Sequence, residues 1–141
     1  MNIKYRLVSI LETEYKFNYD FDFRSINPES VSMQIGHAMK PAMEEDCITV
    51  SMKVNVVHTE TNTILATNAI SMIFGLSPIK KILSFDSNGS VTTQSSEILD
   101  TFITATMGAL RGVLMKNLKG TPLSFVVIPL IPIEKLKAAS E

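Results

Sequence analysis

The chain has 141 residues, 45% of them hydrophobic and 19% charged, with thirteen basic against fourteen acidic side chains and a net charge of −1. That size and apolar content predict one folded domain over residues 1–141 and exclude a disordered chain, while the balanced charge leaves no electrostatic footprint for nucleic acid. A lone cysteine, Cys47, excludes a disulfide scaffold.

The first half alternates with a period of two. Ile3, Tyr5, Leu7, Ser9 and Leu11 oppose Lys4, Arg6, Val8 and Ile10. Similar runs follow over 31–39 and 48–56, with a less pure one over 64–74. Such alternation predicts strands with one covered face, hence an antiparallel sheet. The links Asn27-Pro28-Glu29-Ser30 and Thr59-Glu60-Thr61-Asn62 are too short for parallel crossovers, so a four-stranded meander or Greek key is expected. Lys40-Pro41 to Glu44-Glu45-Asp46 makes a third polar break.

The second half changes period. Leu76-Ser77-Pro78 leads into a helical turn over 79–83 and then a loop at Asp86-Ser87-Asn88-Gly89-Ser90. Ile98, Leu99, Phe102, Ile103, Thr106, Met107, Leu110, Val113 and Leu114 recur every three or four positions, predicting a long helix near 96–119. Ser95 or Ser96 can cap its start, and Glu97 and Asp100 suit the positive end of its dipole. Gly120 and Pro122 end it. Phe125 to Ile133 is the longest apolar run, but it is too short for a bilayer and carries Pro129 and Pro132, which bar it from a central strand. Pro132 then suits the first turn of a short terminal helix. The amino terminus lacks the apolar core of a signal peptide, so a cytoplasmic setting is expected and no membrane partner is indicated.

Chemistry-bearing motifs are sparse. His37, His58 and Cys47 stand singly, and nothing in the spacing places a base beside the thiol. Glu44-Glu45-Asp46 lacks the spaced ligands and glycine of a calcium loop. No phosphate-cradling glycine loop and no zinc spacing occurs, so neither metal nor cofactor is expected and no catalytic residue is assigned. Three features are less ordinary. Tyr15, Phe17, Tyr19, Phe21 and Phe23 alternate with polar residues, and in a strand all five would share one face. They form either a wall of the core or a row that holds apolar peptide. Eight methionines supply adaptable side chains, common both in cores and at promiscuous surfaces. Gly108 and Gly112, in the interior of the predicted helix, each cost about 0.8–1.0 kcal/mol relative to alanine, so a close approach by the sheet or by another subunit is expected there.

Gly108-Ala109-Leu110-Arg111-Gly112-Val113-Leu114, Gly120-Thr121-Pro122-Leu123 and Ile128-Pro129-Leu130-Ile131 resemble the helix and proline-bearing connector of the SecB family of preprotein chaperones. The predicted order of four antiparallel strands, a long helix and a short terminal helix is similar as well. The resemblance implies an α+β fold, a homotetramer built as a dimer of dimers, and apolar grooves that hold unfolded polypeptide without ATP. It places Leu123, Phe125, Val127, Ile128, Leu130 and Ile131 at a groove. Tyr15, Phe17 and Tyr19 are further candidates by their aromatic character, and Gly108 and Gly112 are candidates for a subunit interface. The implied partners are unfolded preproteins or a dedicated antitoxin-like protein, as in relatives associated with toxin–antitoxin pairs. Export members are strongly acidic and dock their ATPase through acidic sheet residues and a carboxy-terminal tail. This near-neutral chain reaches Glu141 soon after its last predicted helix, so that docking is not expected.

Two other function classes compete. A hot-dog-type acyl-thioester hydrolase shares strand alternation and a long helix, but usually places that helix after its first strand or two and needs a carboxylate or polar base beside it. A small apolar-ligand carrier would enclose the aromatic row within one subunit. The positions of Tyr15, Phe17, Phe125 and Ile128 discriminate among the three.

Overall fold

The computed structural model describes residues 2–137. The strands β1 (Lys4–Phe17), β2 (Val31–Ala42), β3 (Cys47–His58) and β4 (Thr63–Ser77) form one antiparallel sheet in the order β1-β4-β3-β2. Hairpins join β2, β3 and β4, and β1 returns beside β4, so the expected Greek key forms rather than a plain meander. Asn62 takes φ 54° in the β3–β4 turn and Asp46 takes φ 50° in the β2–β3 turn. Both residue types tolerate that left-handed backbone. The single helical turn α1 (Ile79–Ile82) leads into a small hairpin, β5 (Leu83–Phe85) and β6 (Val91–Thr93), whose turn is the expected loop Asp86 to Ser90.

The long helix α2 (Ser96–Leu118) runs across one face of the sheet. Leu99, Phe102, Ile103, Met107, Leu110, Leu114 and Leu118 form its buried stripe, against Val50, Met52, Val54, Ile70, Met72 and Phe74 from the sheet. Each such side chain gains about 1.5–3 kcal/mol on burial. By length and composition α2 could cross a membrane, yet this stripe lies buried against the protein's own sheet. Gly120, at φ +82°, turns the chain out of the helix as its sequence position predicts. The Ser95 side chain makes no capping bond; the Ser95 N–H instead donates to Thr93 Oγ1 at 2.9 Å.

From Gly120 the connector doubles back along α2, and Arg111 holds it by donating to the carbonyls of Ile128 at 2.7 Å and Pro129 at 2.8 Å. It ends in α3 (Ile133–Lys137), where Lys137 pairs with Asp100 of α2 at 2.8 Å. The connector and α3 thus take the β2 flank of α2, and β1 forms the opposite flank. The chain end at Glu141, which bears on the expected absence of a docking tail, lies outside the described residues.

Candidate functional site

The strand β1 departs most from its expected pattern. The simple alternation of Ile3 to Leu11 is broken by bulges at Val8 and Thr13, where the register against β4 skips a residue. Each bulge moves the following side chains to the other face. The helix-facing set is therefore Tyr5, Leu7, Ile10, Glu12, Tyr15 and Phe17, opposite Leu76, Phe74, Met72, Ile70, Asn68 and Ala66. These residues are poorly covered: Leu7 is 48% exposed, Ile10 51% and, on the outer face, Leu11 62%. Tyr5 meets Phe102 edge-on at 5.7 Å, and Phe102 stacks on Phe74 at 4.1 Å, so the ring chain begins in the core and ends in solvent.

A polar clasp closes the far end of this flank. Asn68, without exposed surface, donates to Glu12 Oε2 at 2.9 Å and to the Glu14 carbonyl at 2.9 Å. The Asn117 side-chain amide of α2 donates to the same Glu12 oxygen at 2.7 Å and to Asn68 Oδ1 at 3.1 Å. Tyr15 donates its hydroxyl to the Asn117 carbonyl at 3.2 Å. Partial burial, helped by Tyr19 and Glu12 nearby, raises the Tyr15 phenol above its ordinary range.

The aromatic row does not stay in one strand. β1 stops at Phe17, and Tyr19, Phe21 and Phe23 lie in the loop that follows. Within that loop the rings gather on one another: Phe17 lies 5.0 Å from Tyr19 and 5.4 Å from Phe23, and Phe21 lies 5.0 Å from both Phe23 and His58. Tyr19 is the outward member of this cluster. The chain turns because Asn18 Oδ1 accepts from the Asp20 N–H and Asp22 accepts from Arg24, local bonds that compete with a ladder.

On the connector the candidates divide by position. Leu123 and Ile128 are sealed in the core at 0% and 1% exposure, behind the surface they were expected to line. Phe125, Val127 and Leu130 face outward, Leu130 at 89%, and Ile131 is half-buried. Two prolines and the turn at Thr121 force an irregular path, so strict alternation does not predict which side chains point in. Tyr15, Phe17, Phe125 and Ile128 therefore do not line one enclosed chamber. Gly108 and Gly112 lie on the exposed side of α2, and a Cβ added at either meets nothing within 4 Å, so the sheet is not what approaches them.

No family model and no curated protein matches the chain. Among solved structures, a Mycobacterium tuberculosis SecB-like chaperone, in complex with a ChAD peptide from an antitoxin, is similar with a TM-score of 0.59. The match covers 91% of this chain and 90% of that one, at 8% identity. The fold is SecB-like. Its α+β plan of a four-stranded antiparallel sheet, a long helix and a short terminal helix is the one expected from the sequence.

On this SecB-like framework, the described residues keep Cys47 apart from both histidines. Cys47 and His58 begin and end the same 12-residue strand, some 36 Å apart at about 3.3 Å per residue. His37 sits on the helix-facing side of β2, whereas Cys47 belongs to the outer face. His58 Nδ1 is 2.8 Å from Thr61 Oγ1, within its own turn. Among the described residues no three His, Cys, Asp or Glu side chains come together as a metal site.

Proposed function

We propose that this protein is an ATP-independent, chaperone-like binder of extended polypeptide, working as a homo-oligomer. The observation that carries the reading is the outward row Phe125, Val127 and Leu130, displayed on a connector anchored from behind by Leu123, Val126 and Ile128. Apolar side chains held on a fixed irregular backbone suit a client that supplies its own extended chain. The SecB-like protein of similar fold is bound to an antitoxin peptide, which supports a partner polypeptide as the ligand class.

Self-association is assigned to the other flank. β1 is an edge strand with apolar side chains exposed on both faces, a surface that natural proteins cover or blunt. On the outward side of α2, Gly108 and Gly112 let a second backbone approach the helix closely. A second subunit reaching both surfaces would cover them, and a dimer of such dimers would give a tetramer. An unfolded preprotein or a dedicated antitoxin-like partner then occupies the connector flank.

The test is suppression of aggregation of a thermally unfolding reporter protein. Suppression that rises with protein concentration and is indifferent to ATP is the expected result; none at several-fold excess overturns the reading. Against the hydrolase alternative, the carboxylates beside α2 are engaged in structural contacts, Asp100 with Lys137 and Glu12 with Asn68 and Asn117. The ligand-carrier alternative lacks enclosure of the aromatic row, whose Tyr19 stands in solvent.

A further inference from the structure

The helices and the connector pack on one face of the sheet, and among the described residues no helix covers the opposite face. The register places five cationic residues there, Lys4, Arg6, Lys16, Lys40 and Lys53, against one carboxylate, Glu14. The chain as a whole carries −1, so positive charge is concentrated on this surface. Between the charges most residues are small: Gly36 and Ala69 flank Lys53, and Ala38, Ser51 and Ser71 share the next row with Leu11, beyond which Ile73 follows. Arg6 lies flat across Gly75, where an added Cβ would stand 3.4 Å from Arg6 Cγ.

The acidic groups near this face are accounted for. Glu14 is shared by Lys16 at 3.1 Å and Lys53 at 3.3 Å. Glu44 turns toward α1 to pair with Lys80 at 3.0 Å, and Asp46 accepts from the Ile79 N–H at 3.3 Å. Glu45 and Asp46 share a depression with Lys4 and Arg6, which balances that end. The excess therefore lies around Lys40, Lys53 and Lys16, where a second open depression is lined by Lys16, Lys53, Asn55 and Thr67 together with Glu14.

We infer that the outer face of the sheet docks an acidic, extended segment of a partner polypeptide, separately from the client surface on the connector. Too few uncompensated cations are present for nucleic acid, which typically calls for about 6–10 phosphate contacts. An extended strand that alternates carboxylates with apolar residues matches a face on which long basic side chains stand among small residues and the exposed Leu11.

The experiment uses the full chain and two labelled probes of a dozen residues: one alternating Asp and Val, the other with Lys at every Asp. Fluorescence anisotropy should show the acidic probe binding and weakening about tenfold from low to high salt, with the basic probe at least tenfold weaker throughout. Lys40→Glu combined with Lys53→Glu should weaken the acidic probe about tenfold. Glu14→Gln, which removes the lone carboxylate, should strengthen it several-fold and guards against a misfolded double variant. Aggregation suppression should be the same in all variants, which separates this surface from the client surface. Equal binding of both probes, insensitivity to both variants, or tighter binding to a single-stranded oligonucleotide or phosphatidylserine vesicles overturns the inference.

Discussion

Asn68, which has no exposed surface, donates its side-chain amide to the half-exposed edge of the sheet, meeting Glu12 Oε2 at 2.9 Å. Because Asn117 donates to that same oxygen, one carboxylate joins β1, β4 and α2. Replacing Asn68 by Leu leaves Glu12 and the Glu14 carbonyl without that donor. A loss of about 2–3 kcal/mol is expected from urea unfolding, with Asn117→Ala costing less. Equal stability of Asn68→Leu and parent would show that the clasp contributes nothing.

The β1 flank should carry self-association. Light scattering of the parent is expected to give a mass several times 15.6 kDa. Ile10→Lys, which places an ammonium on a surface half open in the single chain, should lower that mass while the circular dichroism spectrum stays unchanged. Retention of the parent's mass would move the interface elsewhere.

Gly112, on the outward side of α2, provides an independent reading of assembly. Within one chain an added methyl meets nothing, so Gly112→Ala should stabilise the isolated fold by about 0.5–1 kcal/mol through helix propensity. Gly112→Leu should instead weaken subunit association, because it fills the space left for a close backbone. A Gly112→Leu chain with undiminished mass would assign the glycine no role in assembly.

On the connector, Phe125→Ser with Leu130→Ser should abolish aggregation suppression while leaving the fold intact, since both side chains are exposed. Ile128→Ser is a different experiment. It opens the core and should cost about 2–5 kcal/mol, the scale of a large-to-small core substitution. Undiminished suppression by the Phe125/Leu130 pair would remove the connector as client site.

The hydrogen bonds from Lys16 and Lys53 lower the Glu14 carboxyl below its ordinary 4.5. A lowered carboxyl stabilises the fold above its unfolded value, and that contribution is lost as pH falls through the lower folded value. The carboxyl signal of Glu14 should accordingly titrate below that of a free glutamate, and Lys53→Met should return it upward. A midpoint unaffected by Lys53→Met would show that the pair does not hold in solution.

The long helix was legible because its period, its start and its Gly120-Thr121-Pro122 stop agree with one another. The phase of β1 was not. A bulge inserts one residue without any composition signal, so Ser9 and Leu11 were assigned to the face that Ile10 and Glu12 occupy. The aromatic alternation from Tyr15 to Phe23 continues a strand pattern beyond the strand, and Asn18, with Asp22, turns the chain before the pattern ends. Leu123 and Ile128 were read with their exposed neighbours because prolines remove the periodicity that separates inside from outside. The Asn68 clasp had one readable sign, an asparagine amid apolar strand residues, but its partners lie 49 to 56 positions away.

Arg111 spans the carbonyls of Ile128 and Pro129 with one planar fork, where a strand neighbour would ordinarily supply a ladder of donors. The connector backbone is therefore joined to the helix by one planar side chain, while Leu123, Val126 and Ile128 hold it in the core. Beyond Pro129 the chain is pinned again at α3, by buried Leu136 and the Lys137–Asp100 pair, so exposed Leu130 rides on a segment held at both ends. A lysine at 111 would keep the charge but could not grip both carbonyls with one rigid plane, so the two backbone contacts would no longer be held together.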